Sequence, residues 1–253
     1  AKTDVEINRD GRPIACQYDF AYWLRSFHPR AAALADRLGG LRWPWGAVAA
    51  ALVAAGMLGA SRGRGGARRL GAWAMGVGSF SLMACELVLL LAFQIFRGYL
   101  YYRLALILAA LMLGMAIGAA LGARRRARPG PRTLAGIHAL TGVYALGAAL
   151  FMRFLQLAES GPWIEGAFWA LAAAIGALAG FEFPAANRIY LSGAEADVRR
   201  AGVVYGVDLA GSCLGALVVG LWALPVLGTG ATLAVLAGLN FAVAAICEGQ
   251  RDS

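Results

Sequence analysis

From residue 43 onward the chain alternates long apolar runs with short connections in which arginine collects. A bilayer core about 30 Å thick is crossed by about 20 apolar residues in a helix, and the runs approach or exceed that length. They predict seven spans, roughly Trp43 to Ala60, Leu70 to Phe96, Leu104 to Gly122, Leu134 to Met152, Pro162 to Pro184, Val203 to Leu227 and Ala231 to Cys247. The first is short and rich in Ala and Gly, and a re-entrant or interfacial segment is its alternative. Residues 1–42 have another pattern. Phe20, Trp23, Leu24 and Phe27 fall at i, i+3, i+4 and i+7, which puts four large apolar groups on one face of an amphipathic helix that Pro29 ends. Gly39-Gly40 marks the hinge to the first apolar run. The predicted class is an all-α membrane protein, with this short amphipathic segment before a polytopic domain at 43–253.

Composition agrees with the pattern. Hydrophobic residues make up 60% of the chain and charged residues 15%, with a mean hydropathy of +0.64, so the solvent for most of it is lipid. A net charge of +9 raises the question of nucleic acid, but every basic residue except Lys2 is arginine, and most stand between apolar runs. That is a topology signal, and no nucleic acid is expected as a partner. Arg62, Arg64, Arg68 and Arg69 lie in the first connection, Arg124, Arg125, Arg126, Arg128 and Arg132 in the third, and Arg188, Arg199 and Arg200 in the fifth. The alternate connections hold only Arg97, Arg103 and Arg153. The positive-inside rule makes the arginine-rich side cytoplasmic and the protein a multi-pass resident of the cell (inner) membrane. The same rule sends residues 1–42 outside if the first run crosses, against their own basic charge, and leaves them cytoplasmic if it does not. Their polar opening lacks a signal-peptide pattern and reads as the C-terminal part of something longer.

Ionisable groups at bilayer depth cost about 2.5–3.5 kcal/mol each on insertion scales, so they are candidates for function. Glu86 shares a stripe with Ser79 and Gln94, which predicts that it faces other helices. Glu182 stands in Gly180-Phe-Glu-Phe-Pro184, where the proline is expected to kink or end the span. It is read as a cation ligand beside freed carbonyls, or as a helix-end group paired with Arg188. Asp208 precedes Gly211, Ser212 and Gly215 on one face. Glu86, Gln94, Glu182 and Asp208 are therefore the candidate ligand or proton-binding residues. His28 and His138 are lone histidines read as interfacial or packing residues. Cys16, Cys85, Cys213 and Cys247 form no CxxC pair, so no metal site, disulfide framework or cofactor is expected in this chain.

Small residues recur at Ala110, Gly114, Gly118 and Gly122, and again at Gly211 and Gly215, as helix-contact faces do. Gly114 and Gly118 come after Glu86 by nearly the spacing at which Gly211 and Gly215 come after Glu182. This predicts a 3+3 inverted repeat, spans 2–4 against spans 5–7.

The run from Glu86 to Gln94, continuing through Gly98-Tyr-Leu-Tyr and Ala109 to Gly118, resembles the membrane region of spermidine synthase-like multi-pass proteins. So do Gly180 to Pro184 and Tyr205 to Gly215, while Ile7 to Phe20 resembles the last segment of their aminopropyltransferase-like domain. The resemblance implies that residues 1–42 hold the remnant of that soluble domain, whose nucleoside loop and acidic base would lie upstream of Ala1. No catalytic residue is carried over, and no complete catalytic site is expected here. The implied function is a membrane anchor or scaffold for an aminopropyltransferase-like domain or for other membrane or soluble subunits. The alternative is a transporter or ligand-binding bundle for a cationic amine or proton. It requires the carboxylates to converge on a cavity.

Overall fold

A computed structural model describes Tyr22 and residues 66–98, 101–124, 129–156, 161–191 and 198–249. The first predicted span and the bulk of the amphipathic segment lie outside the described residues. The described chain is helical, with no strand among these residues: α1 Gly66–Arg97, α2 Tyr101–Arg124, α3 Pro131–Leu155, α4 Trp163–Leu191, α5 Val198–Val218, a π-helical turn Val219–Ala223, and α6 Leu224–Gly249. Helices satisfy their own backbone groups, as a chain without water around it must. Five helical stretches among the described residues are long and apolar enough to cross a membrane, the last being Ala201–Gly249. The predicted spans at 70–96, 104–122, 134–152 and 162–184 each fall within one helix. Those at 203–227 and 231–247 fall within this single 49-residue stretch.

As one straight rod that stretch would measure about 74 Å, more than twice a bilayer core. It is broken at Gly228, whose φ of 76° and ψ of 174° belong to no helix and favour a residue without a Cβ. The chain turns back there. Asp208 of α5 meets Ser79 of α1, and Asn240 of α6 reaches the neighbouring Gly78 through only two intervening side chains, His138 and Glu182.

Two helix pairs approach backbone to backbone. A Cβ on Gly114 or Gly118 of α2 would collide with the carbonyls of Ala173 or Ala177 in α4, and one on Gly176 or Gly180 of α4 would collide with those of Leu111 or Met115. Gly211 and Gly215 of α5 lie in the same way on the carbonyls of Gly76 and Phe80 in α1. Lipid tails are as apolar as the side chains, so such close van der Waals packing supplies the adhesion that the hydrophobic effect supplies in water. The small-residue faces predicted from the sequence are these contacts.

Pro184 does not end α4, which runs on to Leu191. Its missing N–H frees the carbonyl of Gly180, and its ring fills the space over Gly122, where a Cβ would come within 2.7 Å of Pro184 Cγ. Arg188 is exposed and donates to the Ala123 carbonyl at 2.7 Å, joining the C-terminal ends of α2 and α4. At the opposite end Arg97 and Arg103 both reach Glu165, at 3.4 and 3.1 Å. Edge-on contacts of Phe93 and Phe151 with Phe168, at 5.2 and 5.5 Å between centroids, pack the layer beneath.

The backbone contacts make a sharp expectation. Gly118→Leu should destabilise the bundle by about 1–3 kcal/mol through overpacking, read as a lower midpoint of thermal unfolding in detergent. Gly147→Ala, at an exposed helical position where a Cβ meets nothing within 4 Å, should leave the midpoint unlowered or slightly raised.

Candidate functional site

With α2 held against α4 and α5 against α1, the facing sides of these four helices line a half-open cavity of about 580 Å³. Its walls are largely apolar, from Leu82, Met83, Met115, Ile175 and Ala179. Three carboxylates reach it from three helices: Glu86 of α1, Glu182 of α4 and Asp208 of α5. No lysine or arginine is among its described lining residues.

Asp208 is held by α1. Ser79 Oγ lies 2.5 Å from Asp208 Oδ1 and 2.8 Å from the Met75 carbonyl. A hydroxyl carries one proton, so the Asp208 carboxyl and the Met75 carbonyl compete for it. Glu86 stands two turns along α1 from Ser79, about 10 Å at 1.5 Å per residue, and marks the other end of the cavity.

Glu182 is the most enclosed of the three, 1% exposed. It projects over Gly78 of α1, and any Cβ there would collide with the carboxyl group. Neither of its oxygens has a hydrogen-bond partner among the described residues. The expected pairing with Arg188 is not made. His138 Nε2 of α3 lies 3.8 Å from Glu182 Oε1 instead, and His138 Nδ1 lies 2.8 Å from Asn240 Oδ1 of α6. Asn240 donates its own amide proton to the Leu236 carbonyl at 2.8 Å.

Glu86, Glu182 and Asp208 are thus brought together on one cavity, and Gln94 is not among its lining residues. Gln94 lies eight residues beyond Glu86, about 12 Å further along the axis: on the same stripe, at another depth. Ser79 takes part through Asp208. His138, a packing residue by its sequence context, belongs to the polar group, and so does Asn240, which no motif marks. The one sequence signal for Asn240 is a carboxamide in the middle of an apolar run.

The carboxylates are spread along the cavity, and no cluster of His, Cys, Asp and Glu that could hold a metal ion is found among the described residues. The arrangement is an elongated apolar chamber with acidic groups at both ends. No family model, curated protein or solved structure matches the chain, so the resemblance to spermidine synthase-like proteins rests on its motifs.

The Ser79–Asp208 contact separates shape from charge. Asp208→Asn should keep the hydrogen bond and leave thermal stability within about 0.5 kcal/mol, whereas Asp208→Leu should cost about 0.5–1.5 kcal/mol, the net worth of one hydrogen bond, because the Ser79 hydroxyl still donates to the Met75 carbonyl. Unfolding midpoints of the two variants in detergent check this.

Proposed function

We propose that this chain is a transport bundle that binds a cationic amine in the cavity between α1, α2, α4 and α5. The observation that carries the reading is the convergence of Glu86, Glu182 and Asp208 on one chamber whose described lining residues include no lysine or arginine. Three acidic groups at that depth call for compensating positive charge, supplied by a ligand or by protons. The chamber far exceeds one metal ion, and its apolar walls suit an alkyl body carrying ammonium groups. An anchor or scaffold, the role implied by the resemblance, needs no such chamber.

Architecture supports the same reading. The contact of Gly114 with Ala173 has a counterpart in that of Gly211 with Gly76, each partner displaced by 97 positions (114 to 211, 76 to 173). The same displacement carries Gly118 on Ala177 into Gly215 on Phe80, and Gly176 on Leu111 into Ser79 beside Asp208. It also carries the first residue of α1 to that of α4, and of α2 to that of α5. On this reading α1–α3 and α4–α6 are two three-helix units of opposite orientation, six crossings to which the run at 43–60 would add a seventh. Transporters built so bind their substrate near the midplane between repeats and expose it by rocking one against the other. The arginine-rich end, with Arg124, Arg132 and Arg188, would face the cytoplasm in a cell (inner) membrane.

Binding of 1,4-diaminobutane to the purified chain in nanodiscs tests the proposal. The wild type should bind, and Glu86→Gln should lose about tenfold or more in affinity with its helix content intact, because a charge-assisted hydrogen bond is replaced by a neutral one. Equal affinity in the two would remove Glu86 from the site. A wild type that binds no amine would return the chain to the anchor reading.

A further inference from the structure

The side of Glu182 turned from the chamber meets groups for which amine binding has no use. Asn240 donates to the Leu236 carbonyl, which fixes its amide orientation and presents Oδ1 to His138 as an acceptor. His138 Nδ1 therefore carries the proton, and the Nε2 of the neutral ring offers a lone pair toward Glu182 Oε1, 3.8 Å away. Nε2 and both oxygens of Glu182 lack hydrogen-bond partners among the described residues, and the two residues are 0% and 1% exposed. Two acceptors left facing each other in a dry interior repel. A single proton between them removes the conflict, as a carboxyl O–H donating to Nε2 or as an Nε2–H donating to the carboxylate, and either form is neutral as a pair.

The surroundings offer no substitute for that proton. Glu182 faces Asp208 and Tyr205 from α5 and Glu86 from α1 across the chamber, with Cys247 of α6 within electrostatic reach. The described ionisable residues of α2, Tyr101, Tyr102, Arg103 and Arg124, stand at its two ends, and the Ala74 backbone of α1 approaches the His138 ring. Arg188, six residues on in α4, donates to Ala123. Among the described residues no fixed cation stands against Glu182, so a proton and a bound ammonium group are alternative ways to neutralise it.

We propose that Glu182 and His138 form a proton-binding site sharing one proton, and that an amine cation binding in the chamber displaces it, so that the bundle exchanges amine for proton. One positive charge arrives at the Glu182 carboxylate as one proton leaves through the chamber, and His138 is left neutral with Asn240 still accepting from Nδ1. Asn240 is a positioning residue in this scheme, since it acts only by fixing the tautomer. The exchange rests on the amine reading above; the proton site does not.

Infrared difference spectra of the full chain in nanodiscs, taken across pH without amine, read the site directly. A carboxylic-acid C=O band, or the imidazolium ring and carboxylate bands where the proton rests on Nε2, should be lost in Glu182→Gln and shifted in frequency in Glu182→Asp, in His138→Gln and, less strongly, in Asn240→Leu. Proton release on adding 1,4-diaminobutane, measured with a pH indicator, should match the amine bound in the wild type and vanish in Glu182→Gln. A band unchanged in both Glu182 variants would overturn the proton site, and one unchanged in His138→Gln would overturn the shared pair. Amine binding without proton release would overturn the exchange and leave the amine reading standing. A wild type that binds no amine but shows the Glu182 and His138 bands as expected would overturn the amine reading and the exchange while supporting the proton site.

Discussion

Two helices in lipid gain nothing from hiding apolar surface, so they must adhere by fitting. Here the fit is backbone on backbone, through Gly114, Gly118, Gly176 and Gly180 between α2 and α4 and through Gly211 and Gly215 between α5 and α1. The other contacts depend on this closeness. Once those pairs are set, α1 and α4 stand opposite each other with their remaining faces across a narrow space, and Gly78 leaves room for the Glu182 carboxyl group. Bulkier residues at the contacts would push the helices apart and let lipid or water between the acidic groups. Small residues thus shape the chamber without lining most of it.

The membrane character, the small-residue faces and three of the four candidate site residues are legible in the sequence because each has a local cause. Length and apolarity specify a span, and a carboxylate at bilayer depth is too costly to be incidental. Legibility ends where depth and partner choice enter. Gln94 shares the stripe of Glu86, but a stripe fixes the direction a side chain faces and not its height. His138 and Asn240 are separated by 102 positions and become neighbours only because α3 packs on α6. Nothing near either residue announces that pairing. Pro184 has the local signature of a helix end, but the feature that accommodates it within α4, Gly122, belongs to another helix.

The break between α5 and α6 is an intermediate case. The hydrophobic pattern parts the two spans at residues 227–231, and Gly228 lies there, but no polar loop intervenes. Instead a π-helical turn, Pro225 and one glycine of positive φ carry the reversal within apolar sequence. A reversal needs only one residue able to leave helical geometry and neighbours that can satisfy the freed carbonyls.

Glu165 holds two arginines at a single end of the bundle, tying the start of α4 to the connection between α1 and α2. These side chains are 17–23% exposed, so water still reaches the pairs; ion pairs that meet water hold weakly, and dissolved salt weakens them further. If the bundle has a second shape, this contact leaves it sparsely occupied and still within reach of thermal motion.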